Sequence, residues 1–192
     1  MLTNVAAVVL DGVNPFELGV VCEVFGTDRS DDGLPVYDFA VASAEGPTLT
    51  SRSGFSLHVE HGLERLESAD LIAVPAGARY DTREFPPELL QALRRGVERG
   101  ARVLSVCSGV FVLAAAGLLD GRRSAVHWKH VAELTRAYPR LTVEPDVLYV
   151  DEGPVITSAG TAAGIDACLH IVRTEQGTEV ANKIARRMVV PP

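Results

Sequence analysis

The chain has 192 residues, 47% hydrophobic and 22% charged, the proportions of one globular domain, which excludes wholesale disorder. Its net charge of −7 excludes a chain that grips nucleic acid by itself, because neutralising phosphates needs a basic face. No apolar stretch approaches the roughly 20 residues of a membrane span, the start lacks the basic region of a signal peptide, and the cysteines Cys22, Cys107 and Cys168 make no secreted disulfide framework, so no membrane partner and a cytoplasmic setting are expected.

Short apolar runs alternate with amphipathic stretches. Residues 5–10 (VAAVVL) read as a buried parallel strand, since both faces of such a strand are covered. A helix is predicted from Pro15, which suits a first turn, to about residue 25, stopped by Gly26. Residues 26–35, rich in aspartate, read as the most exposed loop. A strand over 37–44 and a hairpin-like segment over 49–59, turning at Ser53-Gly54, come next. Residues 70–74 are a buried strand ending at Pro75-Ala76-Gly77. A helix is predicted over 86–99, a strand over 102–106 and a helix over 111–118. Residues 124–127 read as extended, 129–138 as helix, 147–150 and 155–157 as short strands, and 161–176 and 179–189 as helices.

Such alternation predicts an α/β fold, a three-layer sandwich with a mainly parallel, flavodoxin-like sheet. Residues 1–188 are expected to form the domain. Residues 189–192, ending Val-Val-Pro-Pro, read as the start of a linker.

Cys107 is the sharpest feature. It stands where the strand over 102–106 meets the next helix, crowded by Ser105, Ser108 and Gly109. That is the pattern of a nucleophile elbow at the carboxyl edge of a sheet. The helix N-terminus is expected to favour the thiolate. Glu17 shares a helical face with Val20, Val21 and Val24, and an acid on an apolar face needs a partner. His127, just after the extended 124–126 segment, is a candidate base or orienting group. The backbone N–H groups of Gly77 and Ser108 are candidates for an anion hole. Cys22 and Cys168 are assigned to packing, and His130 and His170 to packing or surface. His58 and His61 are too sparse for a metal site. No phosphate loop, dinucleotide fingerprint or zinc spacing is present, so neither a metal nor a cofactor is expected.

Taken together, these residues resemble the ThiJ/PfpI superfamily of class I glutamine-amidotransferase-like folds. The likeness rests on Asp11-Gly12-Val13, Phe16-Glu17-Leu18, Cys22-Glu23-Val24-Phe25-Gly26, Pro75-Ala76-Gly77, Val106-Cys107-Ser108-Gly109, Ala125-Val126-His127-Trp128 and Thr157-Ser158-Ala159-Gly160-Thr161. It is nearest to the N-terminal domain of GlxA-type, AraC-family transcriptional regulators. The resemblance implies a ligand-sensing and dimerisation domain, a homodimer, and contact with DNA only through a C-terminal helix-turn-helix domain not present here. It implies a small-molecule ligand over Cys107, with Glu17 as acidic partner, Gly77 and Ser108 at the oxyanion-hole positions, and His127, Trp128 and Thr161 about the pocket. Protease-like members carry histidine after the cysteine, and Ser108 stands there instead. Isonitrile hydratases share the small hydroxyl residue and the acid, which keeps a Cys107-dependent lyase or hydrolase as the alternative. Oxidation of Cys107 to sulfinate, stabilised by Glu17, is a third reading.

Overall fold

The computed structural model describes residues 2–190; the last two positions of the expected linker, 191 and 192, lie outside the described residues. In chain order the elements are β1 (Asn4–Val9), α1 (Pro15–Val21), β2 (Asp38–Ser43), β3 (Thr48–Thr50), β4 (Ser56–His58), β5 (Leu71–Val74), α2 (Pro87–Glu98), β6 (Arg102–Val106), α3 (Val110–Ala115), β7 (Arg123–Ser124), α4 (Val131–Ala137), β8 (Thr142–Val143), β9 (Tyr149–Asp151), β10 (Val155–Ser158), α5 (Ala162–Gln176) and α6 (Thr178–Arg187). The central sheet has the order β2-β1-β5-β6-β10-β9. Five of its strands run parallel and β9 alone is antiparallel, a hairpin partner of β10.

Strand β1 shows why the sheet sits between two layers. Val5, Ala7 and Val9 face one core with α1, α5 and α6. Ala6 and Val8, with Leu10 just beyond, face a second core with residues of α2, α3 and α4. Side chains alternate along a strand, so a continuous apolar run is what two covered faces require.

The elements expected from the sequence are present, with shifted ends. The first helix continues as a wider turn over Cys22–Gly26. The helix expected over 111–118 is shorter and is preceded by a tight turn over Cys107–Gly109. β7 overlaps the extended piece expected over 124–127, but β8 and the parallel pairing β7–β8 have no counterpart in the sequence reading, because two-residue strands carry no period.

The 26–35 loop is exposed at most of its residues, as expected, but it is pinned. Its tip is exposed at Asp31 and Asp32, but Arg29 and Leu34 are buried. The Arg29 guanidinium donates to the carbonyls of Glu23, Val24 and Thr27 and to the Glu23 carboxylate. A side chain that bonds four acceptors pins the loop, whatever its aspartate content. At the other end Val189 is exposed, while Val190 still packs on the first core.

Candidate functional site

The carboxyl ends of β1, β5, β6 and β10 converge on one cavity of about 480 Å3. Cys107 directly follows β6 with φ +55, a left-handed conformation that a side-chain-bearing residue adopts only when its surroundings enforce it. Two glycines permit the close packing around it. A Cβ on Gly109 would lie 2.1 Å from the Val74 carbonyl oxygen, and one on Gly160 would lie 2.1 Å from the Cβ of Cys107. Gly109 therefore lets the elbow press against β5, and Gly160 (φ +89) lets the β10–α5 turn press against the cysteine. Arg79 (φ +59) and Thr161 (φ +47) also line this cavity, so three of the four side-chain-bearing residues with positive φ among the described residues stand here.

Glu17 lies on the face of α1 that carries Val20 and Val21, with Val24 one turn on, and is 1% exposed. Neither carboxylate oxygen has a hydrogen-bond partner. Glu17 and Cys107 line the same cavity, brought there by α1 after β1 and by the turn after β6, two strands that flank β5. Cys107 is 8% exposed. Burial, then the Glu17 charge, pushes its thiol up to about 11, against the Ser108 amide and the Arg52 guanidinium, which favour the thiolate. The expected thiolate is thus corrected. The local amide points the right way, but burial and a neighbouring carboxylate outweigh it.

Ser108 and Gly77 also meet. The Ser108 hydroxyl donates to the Gly77 carbonyl and accepts from the Gly77 N–H, each at 3.2 Å. The Gly77 amide is therefore engaged by a side chain, and the expected two-amide anion hole is not free as it stands. His127 and Thr161 line the cavity. The 124–127 segment is tied to β10 by the Ala125 N–H, which donates to Thr157 Oγ1 at 2.8 Å. His127 Nδ1 accepts from the Lys129 N–H at 3.3 Å. Trp128 is 76% exposed and does not line the cavity. In the turn that follows His127, the next side chain points away.

Arg52, Arg79, Asp81, His130 and Glu133 also line the cavity and were missed. Arg52 arrives through the β3–β4 hairpin, which docks on the β1–α1 loop: Gly12 N–H donates to Thr50 O and Arg52 N–H to Val13 O. Nothing in the hairpin's own sequence signals that docking. No helix among the described residues is long and apolar enough to cross a membrane.

A model of the DJ-1/PfpI family matches residues 3–174. The chain belongs to the DJ-1/PfpI family. This DJ-1/PfpI chain is similar to the HTH-type transcriptional regulator CdhR of Pseudomonas aeruginosa, 36% identical over 155 residues, which cover 81% of this chain and 46% of that regulator. It is also similar to the isonitrile hydratase of Pseudomonas putida, 31% identical over 144 residues, 75% of this chain and 62% of that enzyme. Among solved structures, an AraC family transcriptional regulator from Pseudomonas putida superposes with a TM-score of 0.82 at 22% identity, covering 97% of this chain and 99% of that one. The chain thus spans about half the length of the HTH-type regulators it matches.

Proposed function

We propose that this DJ-1/PfpI chain is the ligand-sensing and dimerisation domain of a GlxA-type, AraC-family transcriptional regulator. On this reading residues 1–188 bind a small metabolite over Cys107 in the cytoplasm, pair as a homodimer, and reach DNA only through a separate helix-turn-helix domain. The observation that carries the reading is the unpartnered Glu17 carboxylate in a cavity with Cys107. A buried acid without a donor is destabilising, and a ligand that supplies a donor group removes that penalty only in the bound state. Such differential stabilisation is what lets a ligand shift the balance between two conformations. On this reading the thiol serves as a recognition group beside Glu17. Similarity to the CdhR, GbdR and GlxA regulators supports the reading.

The alternative is a Cys107-dependent lyase such as an isonitrile hydratase. The similarity to the Pseudomonas putida enzyme favours it, together with the acid beside the cysteine. One experiment separates the two. Thermal-shift screening of small polar metabolites against the parent protein, Glu17→Gln and Arg52→Ala is run beside turnover assays on isonitriles. The sensing reading expects a stabilising metabolite whose effect is lost in both variants, with no turnover. Isonitrile turnover that disappears in Cys107→Ala overturns it.

A further inference from the structure

We propose that Asp81, His130 and Glu133 form a divalent metal site of the zinc type on the wall of the Cys107 cavity. Each offers one ligand atom, and the three atoms lie within 4.8 Å of one another. All three residues are half-buried and line the cavity. His130 and Glu133 are three residues apart at the start of α4, a spacing that puts both side chains on one helical face. His130 Nδ1 and Glu133 Oε2 are 3.4 Å apart. The His130 ring stands edge-on to Phe111, with centroids 5.8 Å apart at 89°, which fixes its plane. Asp81 comes from the turn after β5, where the N–H groups of Thr82 and Arg83 both donate to the Arg79 carbonyl.

The charges ask for a cation. Two carboxylates converge on one imidazole, and no lysine or arginine among the described residues forms an ion pair with either acid; the single contact of this kind is His130 with Glu133. One nitrogen and two oxygens suit a borderline first-row ion. Zinc bonds of about 2.0–2.2 Å need neighbouring ligand atoms within about 3–3.6 Å, so a triad already within 4.8 Å has little distance left to close. Three protein ligands leave a fourth position open. The cavity that all three residues line also holds Cys107 and Glu17. His127 stays outside the set because its ring nitrogens do not lie within that 4.8 Å distance of the other three. The inference does not depend on the sensing reading, since it concerns the ion and not the metabolite.

The test is calorimetric titration of Zn2+ into chelator-stripped protein, for the parent chain, Cys107→Ser, Asp81→Asn, His130→Ala and Glu133→Gln. The expected result is one ion per chain for the parent and for Cys107→Ser, with affinity weaker on the order of tenfold or more in each triad variant. Equal affinity in the triad variants overturns the proposal, as does loss of binding in Cys107→Ser, which would put the ion on the thiol, or the absence of any binding in the parent. Metal-free circular dichroism checks each fold. If His130→Ala fails to fold, the isosteric Glu133→Gln and Asp81→Asn carry the same test.

Discussion

The two ends of the central sheet treat polar groups in opposite ways. At the amino end, where β1, β5 and β6 begin, acids and donors find each other. Asp70 Oδ2 accepts from the Thr3 amide and hydroxyl and from the Asn4 amide at 2.9–3.0 Å. Arg102 meets Asp151 at 2.8 Å and Glu175 at 3.4 Å, and His170 meets Asp151 at 2.7 Å. At the carboxyl end Glu17 has no partner, and Arg79, Cys107 and Thr161 sit in strained backbone. Unsatisfied and strained groups gather where a protein acts, and the rest of the fold must hold them there. One end of this sheet is scaffold and the other carries the candidate site.

The largest expected effect breaks the site's frame. Gly109→Ala forces a Cβ onto the Val74 carbonyl, and backbone cannot swing aside as a side chain can. We expect a loss of roughly 3 kcal/mol, read by urea denaturation, together with loss of ligand binding. At the amino end, Asp70→Asn should lose about 1–2 kcal/mol by weakening charge-assisted bonds. Burial opposes ionisation of Asp70, but the Asn4 and Thr3 donors outweigh it and hold the carboxyl below its ordinary value. Its contribution is therefore present above the ordinary carboxylate range and lost as pH falls through the lowered value. A melt series from pH 6 to pH 2 should show the parent losing stability that Asp70→Asn never had.

The thiols give the opposite pH sign. Burial pushes Cys107 and Cys22 up to about 11. A raised value means stability that is present below the ordinary 9.0 and lost as pH rises toward 11. Alkylation of Cys107 by iodoacetamide should be slow at pH 7 and climb toward pH 11. Glu17→Gln should move that midpoint down, since it removes the charge that opposes the thiolate. The smallest effect is at Trp128, where exposure predicts that alanine changes stability by less than about 0.5 kcal/mol and leaves ligand affinity unchanged.

The fold was legible because each parallel strand is a short apolar run bounded by turn residues, such as residues 70–74 before Pro75-Ala76-Gly77. The elbow was legible for the same reason: strand, small residues and helix follow one another along the chain. Glu17 was found because its helical face is otherwise valine. Arg52, Asp81 and Glu133 were not legible. Each belongs to a turn, hairpin or helix start whose place depends on distant packing, and no local period records that. The Trp128 expectation failed through direction: a neighbour in sequence to His127, it turns to solvent. The thiolate expectation failed through magnitude, because a helix-end amide is weaker than burial beside a carboxylate.

The contrast between the two ends reduces to one paired measurement, the unfolding free energies of Glu17→Gln and Asp70→Asn in the ligand-free protein at pH 7. Both replace a carboxyl group by an isosteric amide. Glu17→Gln should be more stable than the parent by about 1–2 kcal/mol, because a buried carboxyl group without a hydrogen-bond partner is lost, while Asp70→Asn should be less stable. A Glu17→Gln protein that is destabilised like its counterpart would mean that the acid is satisfied in the resting chain, and the carboxyl end of the sheet would then be scaffold as well.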